Sequence, residues 1–352
     1  MSHLVRAVIA ACAVLVAGAA MAEPPACRGR DLWGSRPAAD IAIDRAKIER
    51  LAVDVANGRA ILWRIKAPNG GPVSHLFGTV HLTDPRITTL NHGILRDLDE
   101  AQVVAFENRA GIEKATASAT LGHVGPALFM PDGGNYGQLL DADGLDKLRA
   151  ALDRRGLPLF LVYGWKPEIL IFSLLAYPAC ELAQHTAGNL ILDAKILEAA
   201  KARRRETADL ETTEEQLAAL SDVPMPAQID HLLATLAMDT HAEDFQETAL
   251  GFYLSSRIDL MWAFYNSVEA SLVRDPGHID EMWATMLDRR NQAMFANALK
   301  LVTARPTFIA VGAAHLIGAK GLVQRFKDAG FTVVPEFPGG GTSSTEYPGG
   351  KF

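Results

Sequence analysis

The first third of the chain contains short apolar runs separated by turn residues and one amphipathic stretch. Residues 61–65 and 74–79 are apolar runs on either side of Asn69-Gly70-Gly71, and this pattern predicts a β-hairpin. Residues 90–101 have the period of a helix. Residues 103–106 are uniformly apolar, which predicts a short buried strand.

The last part of the chain has the pattern of a βαβ unit. An apolar run at residues 307–311 precedes an amphipathic stretch at 320–329 and a second apolar run at 331–334. Helical periodicity dominates between the two strand-bearing ends, at about 110–205 and 213–303. The pattern therefore predicts an α/β fold, a mixed and largely parallel sheet of two similar half-domains, with helical layers and a helical insertion.

The N-terminus has the features of an export signal. Arg6 precedes an apolar run at residues 7–20, and Ala20-Met21-Ala22 has small residues at the expected cleavage position. We therefore expect residues 1–22 to be a signal peptide, and the mature protein to be periplasmic or secreted. No later segment is long and apolar enough to span a bilayer, so we expect no transmembrane segment after cleavage. Residues 23–338 then form a single domain, and the Gly-rich residues 339–352 are expected to be a disordered tail.

The cysteines indicate a disulfide, and the charge argues against one class of partner. Outside the signal segment two cysteines remain, Cys27 and Cys180, which in an oxidising compartment most simply form one disulfide. Two unrelated thiols are the alternative. The net charge is −7, and basic residues cluster only at 201–205, at the solvated end of a helix, so we expect no nucleic-acid partner.

Two Gly-x-x-His-Leu elements are the leading candidates for chemistry. One places Gly78 before His81, and the other places Gly312 before His315. With 29 Gly and 10 His in 352 residues, about one Gly-x-x-His match is expected by chance. The position of the two elements is stronger evidence for a site than the motif itself. Each element follows an apolar strand, and ligands of open α/β sheets bind beyond the carboxyl ends of strands.

Two carboxylates occupy similar positions in the pattern. Glu107 follows the strand at residues 103–106, and Glu211 follows Asp209-Leu210. Two imidazoles and a carboxylate form an open coordination set for a divalent metal, and a second carboxylate can act as a general base. Other interpretations remain open. Each histidine can cap a loop, Glu107 can pair with an arginine, and Glu211 can be a solvated residue before a helix-capping box at Thr212 and Glu215.

Arg290 and Asn291 lie on a predicted helix shortly before the last βαβ unit. An arginine there is usually solvated, yet either residue can reach the site and orient a substrate carbonyl or carboxylate. The chain has no Gly-x-Ser-x-Gly elbow and no His-Glu-x-x-His helix, so neither a serine hydrolase nor a familiar zincin is indicated.

The chain resembles the TraB/GumN proteins, which are related to the Tiki metalloproteases. The motifs that carry the resemblance keep their order along nearly the whole mature chain: Cys27-Arg28-Gly29-Arg30-Asp31-Leu32, Phe77-Gly78-Thr79-Val80-His81, Ala105-Phe106-Glu107-Asn108, Tyr163-Gly164-Trp165-Lys166-Pro167, Leu210-Glu211-Thr212 with Glu215-Gln216, Arg290-Asn291, and Val311-Gly312-Ala313-Ala314-His315-Leu316. The resemblance implies a fold like that of the erythromycin-esterase and ChaN-type proteins. It also implies metal-dependent peptide hydrolysis, as in the Tiki branch.

The resemblance also assigns roles to single residues. His81, Glu107 and His315 match the metal-site positions of the Tiki branch, whereas Glu211, Arg290 and Asn291 match the bacterial pattern. Two departures occur. Alanine stands at position 314, where a third glycine is often found, and residues 189–193 replace a more usual Gly-x-Asp helix start.

Our leading hypothesis is an exported metal-dependent hydrolase that acts on a peptide or protein substrate. His81, His315 and Glu107 would bind Zn, Mn or Co, Glu211 would be a further ligand or the general base, and Arg290 and Asn291 would position the substrate. The alternatives are a non-enzymatic protein that binds haem, iron or a peptide in the same cleft, and a metal-independent hydrolase that uses His and Glu as acid and base.

Overall fold

The computed structural model describes residues 23–35, 42–113 and 125–337. These residues form an α/β structure around one six-stranded mixed sheet with the order β4-β3-β5-β2-β1-β6. The strands are β1 (Leu62–Lys66), β2 (Val73–Thr79), β3 (Val103–Phe106), β4 (Glu206–Asp209), β5 (Thr307–Gly312) and β6 (Thr332–Glu336). Among these strands β1 runs antiparallel to both its neighbours, and the other pairings are parallel. The predicted fold class is confirmed.

The predicted hairpin joins β1 and β2. The connection is a short 3₁₀ turn at Pro68–Gly70, and Gly70 takes a φ of +78°, a conformation that glycine adopts without the steric cost of a Cβ. Leu62 pairs with Phe77 and Lys66 with Val73. After its first residue β2 is buried throughout, as expected for a strand with neighbours on both sides.

Helices fill most of the remaining chain. They are α1 (Arg45–Val53), α2 (Pro85–Thr88), α3 (His92–Glu100), α4 (Arg109–Glu113), α5 (Tyr136–Leu139), α6 (Ala142–Arg154), α7 (Pro167–Leu170), α8 (Ala179–Thr186), α9 (Leu192–Ala202), α10 (Thr213–Ser221), α11 (Met225–Met238), α12 (Ala242–Leu254), α13 (Ile258–Leu272), α14 (Gly277–Trp283), α15 (Arg289–Ala304) and α16 (Leu322–Asp328).

The two Gly-x-x-His elements lie side by side. Their strands β2 and β5 pair in parallel, with Gly78 opposite Val311. From β2 the chain crosses to β3 on one side of this pair, and from β5 it crosses through α16 to β6 on the other side. The strands of the two predicted halves are therefore interleaved in one sheet.

The sheet and the inserted helices have separate apolar cores. The first core contains the buried residues of the strands, such as Phe106 and Phe308. The second contains Tyr136, Leu148 and Leu170, with other residues of the helices between β3 and β5. The inserted helices thus form a body with a core of their own beside the sheet.

Cys27 and Cys180 form the predicted disulfide, with their Cα atoms 5.3 Å apart. This bond ties the segment at residues 23–35 to the helix α8, and the interpretation of two unrelated thiols was wrong. Within the described ranges, no helix has the length and apolarity needed to cross a membrane. The predicted signal peptide at 1–22 and the predicted tail at 339–352 lie outside the described residues.

Candidate functional site

The carboxyl ends of β2, β3 and β5 bring the predicted site residues together. The order β3-β5-β2 places three adjacent parallel strands with their carboxyl ends at one edge of the sheet. His81 follows β2 by two residues, Glu107 follows β3 directly, and His315 ends a 3₁₀ turn that follows β5. Ligands bind at this edge in open α/β sheets.

Glu107 lies at the centre of the cluster. Its Oε1 accepts a hydrogen bond from the backbone N–H of Gly312 at 2.6 Å and lies 3.6 Å from Nε2 of His315. Its Oε2 accepts from the guanidinium of Arg290 at 2.7 Å. A Cβ on Gly312 would lie 3.1 Å from Oε1 of Glu107 and 3.9 Å from Nε2 of His81. The absent side chain of Gly312 therefore leaves a space that the three predicted ligands border.

His315 is held by the amide of Asn291. Nδ1 of His315 lies 2.7 Å from Oδ1 of Asn291, while Nδ2 of Asn291 donates to the carbonyl of Lys320 at 3.3 Å. Because a carbonyl only accepts, the second bond fixes the orientation of the Asn291 amide, so that Nδ1 of His315 carries the proton. The lone pair of His315 is then on Nε2, the atom nearest Glu107.

His81 is held in the same way by Asp193. Its Nδ1 lies 2.9 Å from Oδ2 of Asp193, whose other oxygen accepts from the Thr79 hydroxyl at 2.6 Å. A carboxylate behind a histidine fixes its tautomer and its ring orientation. The His81 side chain is 47% exposed, whereas that of His315 is 4% exposed. The cluster is therefore open to solvent on the side of His81.

Arg290 pairs with both predicted carboxylates. It lies at the start of α15, and its guanidinium donates to Glu211 at 2.9 Å through Nε and at 2.5 Å through one Nη, the same nitrogen that contacts Glu107. All three side chains are largely buried. The positive charge of Arg290 thus compensates negative charge on Glu107 and Glu211, which would otherwise be costly to bury.

The pKa values of four ionisable side chains of the cluster are shifted in different directions. Asp193 raises the pKa of His81 above its ordinary value. Burial lowers the pKa of His315 to about 3. Burial alone would raise the pKa of Glu107, but the charges of the two histidines and Arg290, together with the Gly312 amide, hold this pKa at about 2. Burial raises the pKa of Glu211.

The donor set of the site fits a divalent metal ion. Two ligands bound at about 2.1 Å to one tetrahedral ion lie about 3.4 Å apart, close to the 3.6 Å between Nε2 of His315 and Oε1 of Glu107. Both histidines have a hydrogen-bond acceptor on Nδ1, which is the usual arrangement behind metal-binding imidazoles. Among the described residues, however, the ligand atoms of His81, Glu107 and His315 are not all within 4.8 Å of one another. His81, the exposed member, would have to turn inward to share one ion with the other two.

The structure is thus an α/β protein in which two Gly-x-x-His elements lie beside a buried glutamate. Residues 61–335 match the TraB/PrgY/gumN family, and the chain belongs to this family. No curated protein and no solved structure matches the chain at a significant level.

The structure places the sequence-predicted residues close together and adds Asp193, which was not predicted as a site residue. Glu211, Arg290 and Asn291 were predicted to touch metal or substrate, and the structure places them behind Glu107 and His315 as hydrogen-bonding partners. Asp193 was noted for its departure from the usual helix start but not as a site residue. A signal was available, because Asp193 shares a helical stripe with Ile196, Leu197 and Ala200, all of which are buried. An acid on the apolar stripe of a helix requires a buried partner.

Proposed function

We propose that this protein is an exported metal-dependent hydrolase that cleaves peptide bonds. The observation that supports the proposal best is the matched arrangement of the two histidines. Each has Nδ1 bonded to an acceptor, Asp193 or Asn291, which leaves Nε2 as the ligand atom, and Nε2 of His315 lies 3.6 Å from Oε1 of Glu107. The resemblance to the Tiki metalloproteases supports a peptide as the substrate.

Each site residue receives a role from its contacts. His81, His315 and Glu107 would hold the ion, which would be Zn, Mn or Co. A bound divalent ion lowers the pKa of a coordinated water and so supplies a hydroxide near neutral pH. The exposed side of His81 leaves room for the substrate to enter.

The residues behind the ligands act by holding them in place. Asp193 and Asn291 fix the tautomers of the two histidines, and the Gly312 amide fixes Oε1 of Glu107. We assign Glu211 to the orientation of Arg290 rather than to general base catalysis, because both of its oxygens accept hydrogen bonds from that guanidinium. Arg290 in turn holds Oε2 of Glu107.

Export is supported by the disulfide. The Cys27–Cys180 bond joins the segment after the predicted signal peptide to the middle of the chain. Disulfides of this kind persist in oxidising compartments such as the periplasm and the extracellular space.

The proposal is tested by measuring peptide cleavage with and without metal. The purified mature chain is stripped with a chelator and incubated with a peptide mixture, alone or with Zn²⁺, Mn²⁺ or Co²⁺, and the products are read by mass spectrometry. We expect cleavage only with metal, and its loss in His315→Ala. The matched control is His92→Ala, which changes an exposed histidine on α3. Intact peptides under every metal condition would contradict the proposal, and peptides retained but uncleaved would favour a binding protein.

The pair of His81 and Asp193 favours one second candidate, a metal-independent hydrolase. A half-exposed imidazole backed by a buried carboxylate is the arrangement of a general acid or base. Cleavage that survives chelation and falls in Asp193→Asn would establish this candidate. Under the metal proposal, chelation alone abolishes cleavage.

A further inference from the structure

A second group of metal-ligand side chains lies away from the Gly-x-x-His site. It consists of His75, Asp97 and Glu336, each of which offers one ligand atom, and these atoms all lie within 4.8 Å of one another. His75 is on β2, six residues before His81, Asp97 is on α3, and Glu336 ends the edge strand β6. The three residues come from separate parts of the chain, and folding alone assembles them.

Two oxygens of this group are buried without a hydrogen-bond partner. They are Oδ2 of Asp97, whose residue is 1% exposed, and Oε2 of Glu336. A buried carboxylate oxygen without a partner is costly, and a bound ion is one of the standard explanations for it. Nε2 of His75 lies 3.4 Å from Oε2 of Glu336, about the separation of two ligands on one tetrahedral ion.

Two arginines hold the opposite oxygens of the same carboxylates. Arg96 donates to Oδ1 of Asp97 at 2.9 Å, and Arg64 lies 3.0 Å from Oε1 of Glu336. They therefore fix the orientation of both carboxylates through Oδ1 of Asp97 and Oε1 of Glu336, and Oε2 of Glu336 lies on the side of His75. Partners of this kind commonly orient the ligands of metal sites.

We propose that His75, Asp97 and Glu336 bind a divalent transition-metal ion, in the first place Zn²⁺, with water completing the coordination. One imidazole with two carboxylates suits zinc better than calcium or magnesium, which prefer oxygen ligands alone. The Glu336 side chain is 26% exposed and lies on an edge strand, so the group is close to the protein surface. The ion would tie β6 to β2 and to α3, and its role would be structural.

This second site is independent of the proposed function and is tested in a variant whose Gly-x-x-His site lacks both histidines. The tag-free variant His81→Ala/His315→Ala is stripped of metal and titrated with ZnCl₂ against a chromophoric chelator. We expect one Zn²⁺ per chain and a higher melting temperature in its presence. Adding His75→Gln, Asp97→Asn or Glu336→Gln should weaken binding by at least about tenfold, the lower end of what loss of an outer-shell partner costs.

Two control variants change a histidine and an aspartate on α3, the helix that carries Asp97. His92→Ala removes an exposed histidine of α3, and Asp99→Asn changes a half-exposed carboxylate that pairs with Arg203. Both should leave binding unchanged. Circular dichroism identifies a variant that fails to fold, and Glu336→Gln at the exposed edge keeps the test valid if Asp97→Asn unfolds. A double variant that binds no Zn²⁺, or binding that His75→Gln and Glu336→Gln leave unchanged, would overturn the proposal.

Discussion

Replacing Arg290 by glutamine should destabilise the protein strongly. Its guanidinium bonds to Glu107 and Glu211, and the exposed fractions of the three side chains are 11%, 11% and 1%. Removing one partner of a buried ion pair costs about 3–5 kcal/mol, because it leaves an uncompensated charge in the interior. We therefore expect Arg290→Gln to lower the free energy of unfolding at pH 7 by about 3–5 kcal/mol.

The pH dependence of this loss follows from the carboxylates. In the wild type the pKa of Glu107 is lowered from 4.5 to about 2. The stabilisation from this shift is present above about pH 4.5 and disappears as the pH falls through 2. Without Arg290 the buried acids take up protons more readily, so the difference in the free energy of unfolding between variant and wild type should shrink as the pH falls below about 4.5 towards 2.

Urea unfolding followed by circular dichroism measures both effects. The neighbouring residue provides the control, since the Arg289 side chain is 82% exposed and pairs with Asp222 at the surface. Arg289→Gln should change the free energy of unfolding by no more than about 0.5 kcal/mol. A loss below about 1 kcal/mol in Arg290→Gln, or equal losses in the two variants, would refute the assignment of Arg290 as the buried counter-charge.

Three further changes give separate tests. Replacing Cys27 and Cys180 by serine should lower the free energy of unfolding by about 2–5 kcal/mol, and an unchanged urea midpoint would contradict this. Burial opposes protonation of His231, but Glu168 outweighs it and the pKa of His231 rises to about 9. Below pH 6.5 the free energy of unfolding of the wild type should therefore be roughly 3 kcal/mol higher than that of His231→Gln. Urea titrations should show this difference falling as the pH rises through 9. A difference that does not change with pH would refute the prediction. Gly312→Ala puts a Cβ 3.1 Å from Oε1 of Glu107 and should weaken metal binding, measured by chelator competition, at least about tenfold; unchanged affinity refutes this.

The local elements of the fold were predictable because local chemistry determines them. The turn at Asn69-Gly70-Gly71 contains the positive φ of Gly70, and the apolar run at 103–106 is the buried strand β3. The capping box predicted at Thr212 and Glu215 is confirmed at the start of α10. The position of β5 between β3 and β2 was not predictable, since strand order depends on contacts between distant segments.

The sequence predicted the edge of the sheet at which the candidate site lies, but it did not predict the hydrogen-bonding partners of the residues there. Strand ends identified His81, Glu107 and His315, because parallel strands present their carboxyl ends together. The partners of these residues come from α9 and α15, and nothing in the local sequence specifies which acceptor a given histidine meets. Arg290 and Asn291 are adjacent on α15, yet one reaches Glu107 and the other His315, because successive residues of a helix point about 100° apart.

We propose that His81 and His315 hold one ion in one shared site. The most direct test is the metal content at saturating Zn²⁺ of the wild type, His81→Ala, His315→Ala and the double variant, measured by mass spectrometry after removal of unbound metal. We predict that His81→Ala, His315→Ala and the double variant each contain one ion per chain fewer than the wild type, with His92→Ala unchanged. A metal content equal to that of the wild type in either single variant would contradict a site shared by the two histidines.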